Sequence, residues 1–138
     1  MRERELPGFL DTSVIVRYIT GDPPDMAEAA ARLLDGGGAL ILSELALLET
    51  AHVLEKVYEV PRPALVDALV ALVQKSNLRL TVLPKTRVVE ALLLCRDSKR
   101  YSLTDVMLWA QARDMKVEPL YTFDGRFPSQ GLAVVRPD

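Results

Sequence analysis

Short apolar runs alternate with longer amphipathic stretches along the chain. The runs are bounded by Gly, Pro, Asp or Asn, and they occupy 8–10, 39–42, 78–83, 119–123 and 132–135. Runs of this length between turn-forming residues predict five buried strands. The amphipathic stretches predict helices over about 14–20, 25–35, 44–59, 62–76, 86–97 and 103–115.

Helices therefore fill most of the gaps between the predicted strands. This alternation, with strands that are almost continuously apolar, indicates an α/β fold with a mostly parallel sheet that is covered on both faces. The 138 residues, 49% hydrophobic and 26% charged, predict a single domain spanning 1–138 with a substantial core. The same composition excludes a disordered or collagen-like chain.

Composition also limits the chemistry. Seventeen basic and nineteen acidic residues give a formal charge of −2, so any contact with nucleic acid must be local. With a single cysteine, Cys95, the chain cannot form an intrachain disulfide. One cysteine and one histidine, His52, are also too few ligands for a Cys/His zinc cage. The charged segment at 1–5 lacks a signal-peptide core, and no apolar run reaches the roughly 18–20 residues of a membrane helix. We therefore expect a cytoplasmic protein with no membrane contact.

Two aspartates follow predicted strands directly. Asp11 ends the first strand and Asp124 ends the fourth. Parallel α/β sheets bind their ligands at the carboxyl ends of the strands, which makes both residues candidates for chemistry. Aspartates at such positions are also common as turn or N-cap residues, so position alone leaves both interpretations open.

Two further carboxylates lie on predicted helices. Asp105 shares a stripe with Leu108, Trp109 and Ala112, where a lone carboxylate is costly unless it is hydrogen-bonded, neutralised or bound to a cation. An aspartate in the first turn of a helix also gains from the helix dipole, and this is the structural alternative.

The helix predicted over 44–59 carries a polar arc. Its members are Glu44, Glu49, His52, Glu55, Lys56 and Glu59. Most of this arc is interpreted as a solvated face. Glu49 stands at its margin, next to the buried side, and is the member with a reason to face something other than water.

Four segments in chain order resemble the motifs of PIN-domain ribonucleases, and VapC-type toxins in particular. They are Phe9-Leu10-Asp11-Thr12-Ser13, Glu49 on its helix, Leu103-Thr104-Asp105, and Thr122-Phe123-Asp124-Gly125-Arg126-Phe127. The resemblance extends from Phe9 to about Pro137. It implies a three-layer α/β/α fold with a five-stranded sheet in the order 3-2-1-4-5.

The resemblance also implies a nuclease site. Asp11, Glu49, Asp105 and Asp124 would be its catalytic and metal-binding residues, and Thr12, Ser13 and Thr122 would support them. Thr104 departs from the family pattern, in which small residues are frequent at this position. VapC-type toxins are homodimers that a small antitoxin silences, so an RNA substrate, a second copy and an antitoxin are the expected partners.

The chemistry of the residues agrees with this site. Clustered carboxylates repel one another and are tolerated at neutral pH chiefly around a cation, and oxygen-only ligation selects Mg²⁺ or Mn²⁺. Such an ion activates water for phosphodiester hydrolysis without a histidine or lysine base. Phosphate contacts are expected from Lys99, Arg100 and Arg126, for which an ordinary solvated loop is the alternative.

Other functions remain open. An RNA-maturation nuclease or a non-catalytic binding module would share the fold. A haloacid-dehalogenase-like phosphatase needs a second aspartate two residues after the first, where this chain has Ser13. His52 is interpreted as a packed or interface residue, since imidazole is a poor ligand for Mg²⁺. Cys95 and Trp109 are interpreted as core residues.

Overall fold

A computed structural model describes residues 7–137 of the chain. Its strands are β1 (Gly8–Phe9), β2 (Leu40–Leu42), β3 (Leu78–Leu80), β4 (Leu120–Tyr121) and β5 (Val134–Val135). Its helices are α1 (Thr12–Thr20), α2 (Pro24–Leu34), α3 (Glu44–Lys56), α4 (Arg62–Val73), α5 (Lys85–Leu94) and α6 (Leu103–Met115). The predicted α/β class, with its helices and short parallel strands, is confirmed.

The strands form two parallel sheets. One has the order β1-β2-β3, and the other pairs β4 with β5. In the first sheet, Leu40 of β2 aligns with Gly8 on one side and with Leu78 on the other. The predicted order 3-2-1-4-5 contains these neighbours, but a β1–β4 pair is not seen in the part of the chain that the structure describes. The single five-stranded sheet therefore stays a prediction.

Local signals explain where the helices begin and end. The Asp11 side chain caps α1, and the left-handed Gly21 (φ 73°) ends it, a conformation that glycine adopts without steric penalty. Prolines Pro23, Pro61 and Pro84 stand immediately before α2, α4 and α5. Helix α3 ends at Lys56, before the predicted 59, and Glu59 then takes a positive φ of 54°.

The core lies between the β1-β2-β3 sheet and the helices packed on it. Leu40 and Leu42 of β2 are buried together with Leu54, Leu65 and other aliphatic side chains. Trp109 is 1% exposed and Cys95 is completely buried, as expected from the sequence. Burial also raises the pKa of the Cys95 thiol, which keeps it protonated and unreactive. Among residues 7–137, no helix is long and apolar enough to cross a membrane.

Glu44 corrects one sequence-based interpretation. It belongs to the polar arc that we interpreted as solvated, yet it is only 6% exposed. Its carboxylate accepts hydrogen bonds from the Thr81 hydroxyl and from the backbone amides of Val82 (2.9 Å) and Leu83 (2.6 Å). The segment after β3 thus supplies the polar partners that a helical pattern alone does not reveal.

The pKa of Glu44 lies below its ordinary value. Burial raises this pKa, but the hydrogen bonds from Thr81, Leu83 and Val82 favour the charged form and prevail. A carboxyl whose pKa is lower in the folded state contributes stability above its unfolded pKa, and this stability is lost as the pH falls through the folded value. Glu44 therefore stabilises the fold at neutral pH and not in strong acid.

We expect Glu44→Gln to reduce the free energy of unfolding at pH 7 by about 1–3 kcal/mol, because an amide cannot replace a carboxylate that accepts three hydrogen bonds. The difference between variant and wild type should shrink as the pH falls below the unfolded pKa of the glutamate toward the lower folded pKa of Glu44. Urea unfolding at pH 7 and pH 3.5 measures both effects. Glu28→Gln, a change at an exposed glutamate on α2, is the control. A pH-independent loss would contradict this account of Glu44.

Candidate active site

Asp11 follows β1 and is held by the first turn of α1. Its Oδ2 accepts hydrogen bonds from the backbone amide (3.1 Å) and the hydroxyl (2.6 Å) of Ser13. These two bonds hold the pKa of the Asp11 carboxyl below its usual range, and the bond from the Ser13 hydroxyl has the larger effect. Asp11 is therefore both an N-cap and an exposed, ionised carboxylate, so the two interpretations of this residue are compatible.

Glu49 lies on the exposed side of α3 and shares a cleft with Asp11. The cleft has a volume of about 310 Å³. It is lined by Phe9, Leu10, Asp11, Thr12, Ser43, Leu45, Ala46 and Glu49. Ser43 follows β2 and accepts a hydrogen bond from the amide of Leu45 (3.1 Å), which starts α3 at the same edge of the sheet. The first two candidate residues therefore line one cleft at the carboxyl ends of the paired strands β1 and β2.

Asp105 is half-buried in the first turn of α6. Its backbone amide donates to the hydroxyl of Ser102 (3.0 Å), the N-cap residue of this helix. The expected stripe is only partly buried, because Trp109 is in the core whereas Leu108 is exposed. Sequence reasoning missed Ser102, although serine three positions before an acidic residue is a known signal for a helix start.

Asp124 lies in an exposed turn after β4. Its Oδ1 accepts a hydrogen bond from the backbone amide of Arg126 (2.8 Å), and its own amide donates to the Thr122 hydroxyl (3.0 Å). Thr122 therefore shapes the turn that presents Asp124, which is the kind of contact expected of a supporting residue. Asp105 and Asp124 do not line the cleft that holds Asp11 and Glu49.

The donor set fits a hard divalent cation, since carboxylate oxygens are the ligands that Mg²⁺ and Mn²⁺ prefer. The structure does not bring the four carboxylates together as one ligand set. Within 7–137, no three Asp, Glu, His or Cys side chains form a group that could hold a metal ion. Asp11 and Glu49 come together, while the convergence of Asp105 and Asp124 with them remains a prediction.

The remaining candidates are on the surface. Lys99 and Arg100 are exposed in the loop before α6, and the Arg100 guanidinium stacks 5.6 Å from the ring centre of Tyr101. Arg126 is exposed directly after Asp124. His52 is also exposed, so it is not packed in the core of this chain, and its alternative interpretation as an interface residue stays a prediction.

The chain as a whole is similar to a known domain family. A profile of the PIN domain matches residues 8–131, which is most of the chain. The chain belongs to the PIN-domain family. PIN domains are nucleases that bind nucleic acid and generally use divalent metal ions, and this supports a nuclease function for the present PIN domain. No curated protein matches the chain.

We expect Ser13→Ala to raise the pKa of Asp11 in this PIN domain, because the variant loses the shorter of the two hydrogen bonds that favour the carboxylate. The wild type gains stability from Asp11 above its unfolded pKa and loses it as the pH falls through the lower folded value, so the variant should be less acid-stable. A carbon-detected NMR titration of the Asp11 carboxyl measures the shift. The exposed Ser76→Ala change is the control, and an unmoved Asp11 pKa in Ser13→Ala would contradict this role.

Proposed function

We propose that the protein is a metal-dependent endoribonuclease that hydrolyses RNA phosphodiester bonds, and that it acts as the toxin of a toxin–antitoxin pair. The family supports a nuclease in general. The observation that carries the proposal for this chain is the cleft shared by Asp11 and Glu49 at the carboxyl ends of adjacent strands. Polar ligands of parallel sheets bind at this edge.

Under this proposal, Asp11, Glu49, Asp105 and Asp124 hold Mg²⁺ or Mn²⁺. A bound ion of this kind supplies a Lewis acid for the phosphate and lowers the pKa of a bound water. The carboxylates must then be ionised near neutral pH, and the low pKa of Asp11 satisfies this requirement. The negative charge of these carboxylates also repels a phosphodiester when no cation is bound. Substrate affinity therefore depends on the cation as well.

Neighbouring hydroxyl groups and backbone amides orient the carboxylates of Asp11 and Asp124. Ser13 occupies Oδ2 of Asp11 with two hydrogen bonds, which leaves Oδ1 for another ligand. In the same way, the Arg126 amide occupies Oδ1 of Asp124 and leaves Oδ2. We propose that Thr12, Ser13 and Thr122 serve the site by restricting these side chains and turns, rather than by contacting the substrate.

The full ligand set requires Asp124 to approach Asp11, and the open edges of the two sheets suggest how. Gly8 and Leu10 donate their amides to β2, whereas Leu120 and Thr122 donate theirs to β5. The backbone of Phe9 and Tyr121 therefore points away from these partners. Both side chains are largely exposed, at 67% and 66%.

Exposed, apolar strand edges are unfavourable in isolated proteins, so we propose that β1 pairs with β4. This pairing produces the order 3-2-1-4-5 and a three-layer α/β/α arrangement. It also places the turns after β1 and β4, and with them Asp11 and Asp124, side by side.

RNA binding would use the basic residues around this edge. Lys99 and Arg100 precede the helix of Asp105, and Arg126 follows Asp124 directly. With a formal charge of −2, the protein has no general attraction for nucleic acid, so contacts at these positions would matter individually. Such contacts hold phosphates and do not read bases, and we expect selectivity to come from loops and RNA shape.

The toxin role rests on the resemblance of the four motifs to VapC-type toxins. It carries with it a homodimer, a cytoplasmic location and a small antitoxin that covers the acidic cleft. A basic side chain of such a partner would complement Asp11 and Glu49 electrostatically. A small reading frame beside the gene, encoding a protein with a basic tail, would support this assignment over RNA maturation.

We expect the purified protein to cleave structured RNA with Mg²⁺ or Mn²⁺ and to lose this activity in excess EDTA, because carboxylates alone provide no electrophile. Asp11→Asn and Asp105→Asn should each lower kcat by about 100-fold or more. The melting temperature of Asp105→Asn without metal should stay the same or rise, because the change removes a charge from the proposed acidic site. Asp11→Asn should melt slightly lower, because it loses the charge that the hydrogen bonds from Ser13 favour. Gel analysis of the RNA and thermal melts measure these outcomes.

The exposed Asp97, which pairs with Arg96 outside the proposed site, provides the matched control Asp97→Asn. This variant should cleave like the wild type. Undiminished cleavage in EDTA would contradict metal dependence. Active but destabilised Asp105→Asn protein would instead identify that aspartate as a structural helix cap, whose loss costs about 0.5–2 kcal/mol.

We expect induced expression of the wild-type protein in a bacterial host to arrest growth, and expression of Asp11→Asn at the same level to permit it. Asn is as good an N-cap as Asp, so the variant should remain folded and differ in charge. Growth curves with matched immunoblots make the comparison. Normal growth with wild-type protein that is active on RNA in vitro would favour the maturation nuclease over the toxin.

A further inference from the structure

A single buried guanidinium joins the helix of Glu49 to the loop that leads into the helix of Asp105. Arg62 is 8% exposed, and its Nε donates to Oε2 of Glu55 on α3 at 3.1 Å. Its Nη1 donates to the backbone carbonyl oxygens of Cys95 (3.1 Å) and Tyr101 (2.9 Å). The carbonyl of Ser98 lies within 3.4 Å of the same nitrogen.

The location of Arg62 is unfavourable without these contacts. It is the first residue of α4, where the helix dipole repels a positive charge. Burial of a guanidinium is also costly unless it is paired and hydrogen-bonded. The acceptors compensate for both effects, since Glu55 is ionic and the Cys95 carbonyl lies at the negative end of α5.

The three carbonyls belong to the segment 95–101, which connects α5 to α6. Tyr101 immediately precedes Ser102, the N-cap of α6, and Asp105 lies in the first turn of that helix. Arg62 thus connects the segment that precedes α6 with Glu55 on α3. The same segment carries Lys99 and Arg100, whose side chains remain exposed.

We propose that Arg62 is a positioning residue of the nuclease site, which fixes the start of α6, and therefore Asp105, against the helix that carries Glu49. This inference rests on the proposed function, because it assigns Asp105 to the chemistry. Arg62 itself touches neither cleft nor substrate in this role. Its effect is transmitted through Glu55 and the backbone of 95–101.

The planar fork of arginine matters here. Nε donates to Glu55 in the plane of the guanidinium while Nη1 donates to the loop carbonyls, a span that the single ammonium of lysine cannot reproduce. Arg96 offers the natural comparison, because it bridges α4 to the end of α5 through Asp67 and Asp97. That network is partly exposed and ties only the first residues of the segment to α4, because it contains no hydrogen bond to a backbone carbonyl and none to the part of the segment next to α6.

The experiment compares Arg62→Lys with Arg96→Lys in the full chain, well below the melting temperature of each variant. RNA cleavage kinetics and amide hydrogen exchange of residues 98–104, beyond the Arg96–Asp97 pair, are measured on the same samples. For Arg62→Lys we expect kcat to fall about tenfold or more, KM to change less than about threefold, and loop exchange to accelerate. Arg96→Lys should match the wild type in all three.

Glu55→Gln is the second variant, because it keeps an acceptor for Nε and removes only the charge. It should fold and show a smaller fall in kcat than Arg62→Lys. Folded Arg62→Lys protein with faster loop exchange and wild-type kcat would overturn the positioning role and leave Arg62 a structural residue. Equal losses in Arg62→Lys and Arg96→Lys would overturn it as well.

The two proposals fail in different ways. A wild-type protein that cleaves no RNA would overturn the proposed function, and the role of Arg62 with it. An active wild type with an equally active Arg62→Lys variant overturns the role of Arg62 alone.

Discussion

The burial of β2 is the constraint on which the rest of the molecule depends. This strand pairs on both sides, with β1 and with β3, and its side chains Leu40 and Leu42 are buried. A parallel strand in this position needs helices over both faces, and crossover helices return the chain to the same end of the sheet each time. The loops after β1, β2 and β3 therefore leave at one edge, where Asp11, Ser43 and Thr81 lie.

Burial of the apolar strands thus determines where the polar side chains at this edge lie, and hydrogen bonds determine how these side chains are oriented. Three polar residues at this edge, Asp11, Ser43 and Glu44, each have a partner from a short loop or a helix start. Ser13 holds Asp11, Ser43 caps α3, and the segment after β3 surrounds the Glu44 carboxylate. Glu44 and Glu49 stand on the same helix but in opposite situations. The Glu44 carboxylate accepts hydrogen bonds from the segment after β3 and anchors the helix to it. The Glu49 side chain is exposed and lines the cleft.

The sequence sufficed for features that depend on local patterns. Apolar runs between turn residues located all five strands, and prolines located the starts of three helices. The roles of Glu44 and Arg62 could not be predicted in this way. Glu44 is satisfied by a loop 37 to 39 residues away, and Arg62 by carbonyls 33 to 39 residues away. A helical wheel places Glu44 on a polar face, and the pattern of a helix carries no information on such distant partners of either residue.

The four-carboxylate site is a harder case, because its assembly and its electrostatics are coupled. Asp11 and Glu49 share one sheet edge through β1 and β2, so ordinary packing brings them together. Under the proposed function, Asp124 would join them through the proposed β1–β4 pairing, and each added carboxylate would meet the repulsion of those already present. A cation that binds the convergent set offsets this repulsion and stabilises the joined arrangement in proportion to its own binding. Under the proposed function, metal binding and the convergence of the four carboxylates are therefore linked. If Arg62 positions the start of α6 as proposed, it lowers the reorganisation that Asp105 needs in order to join them.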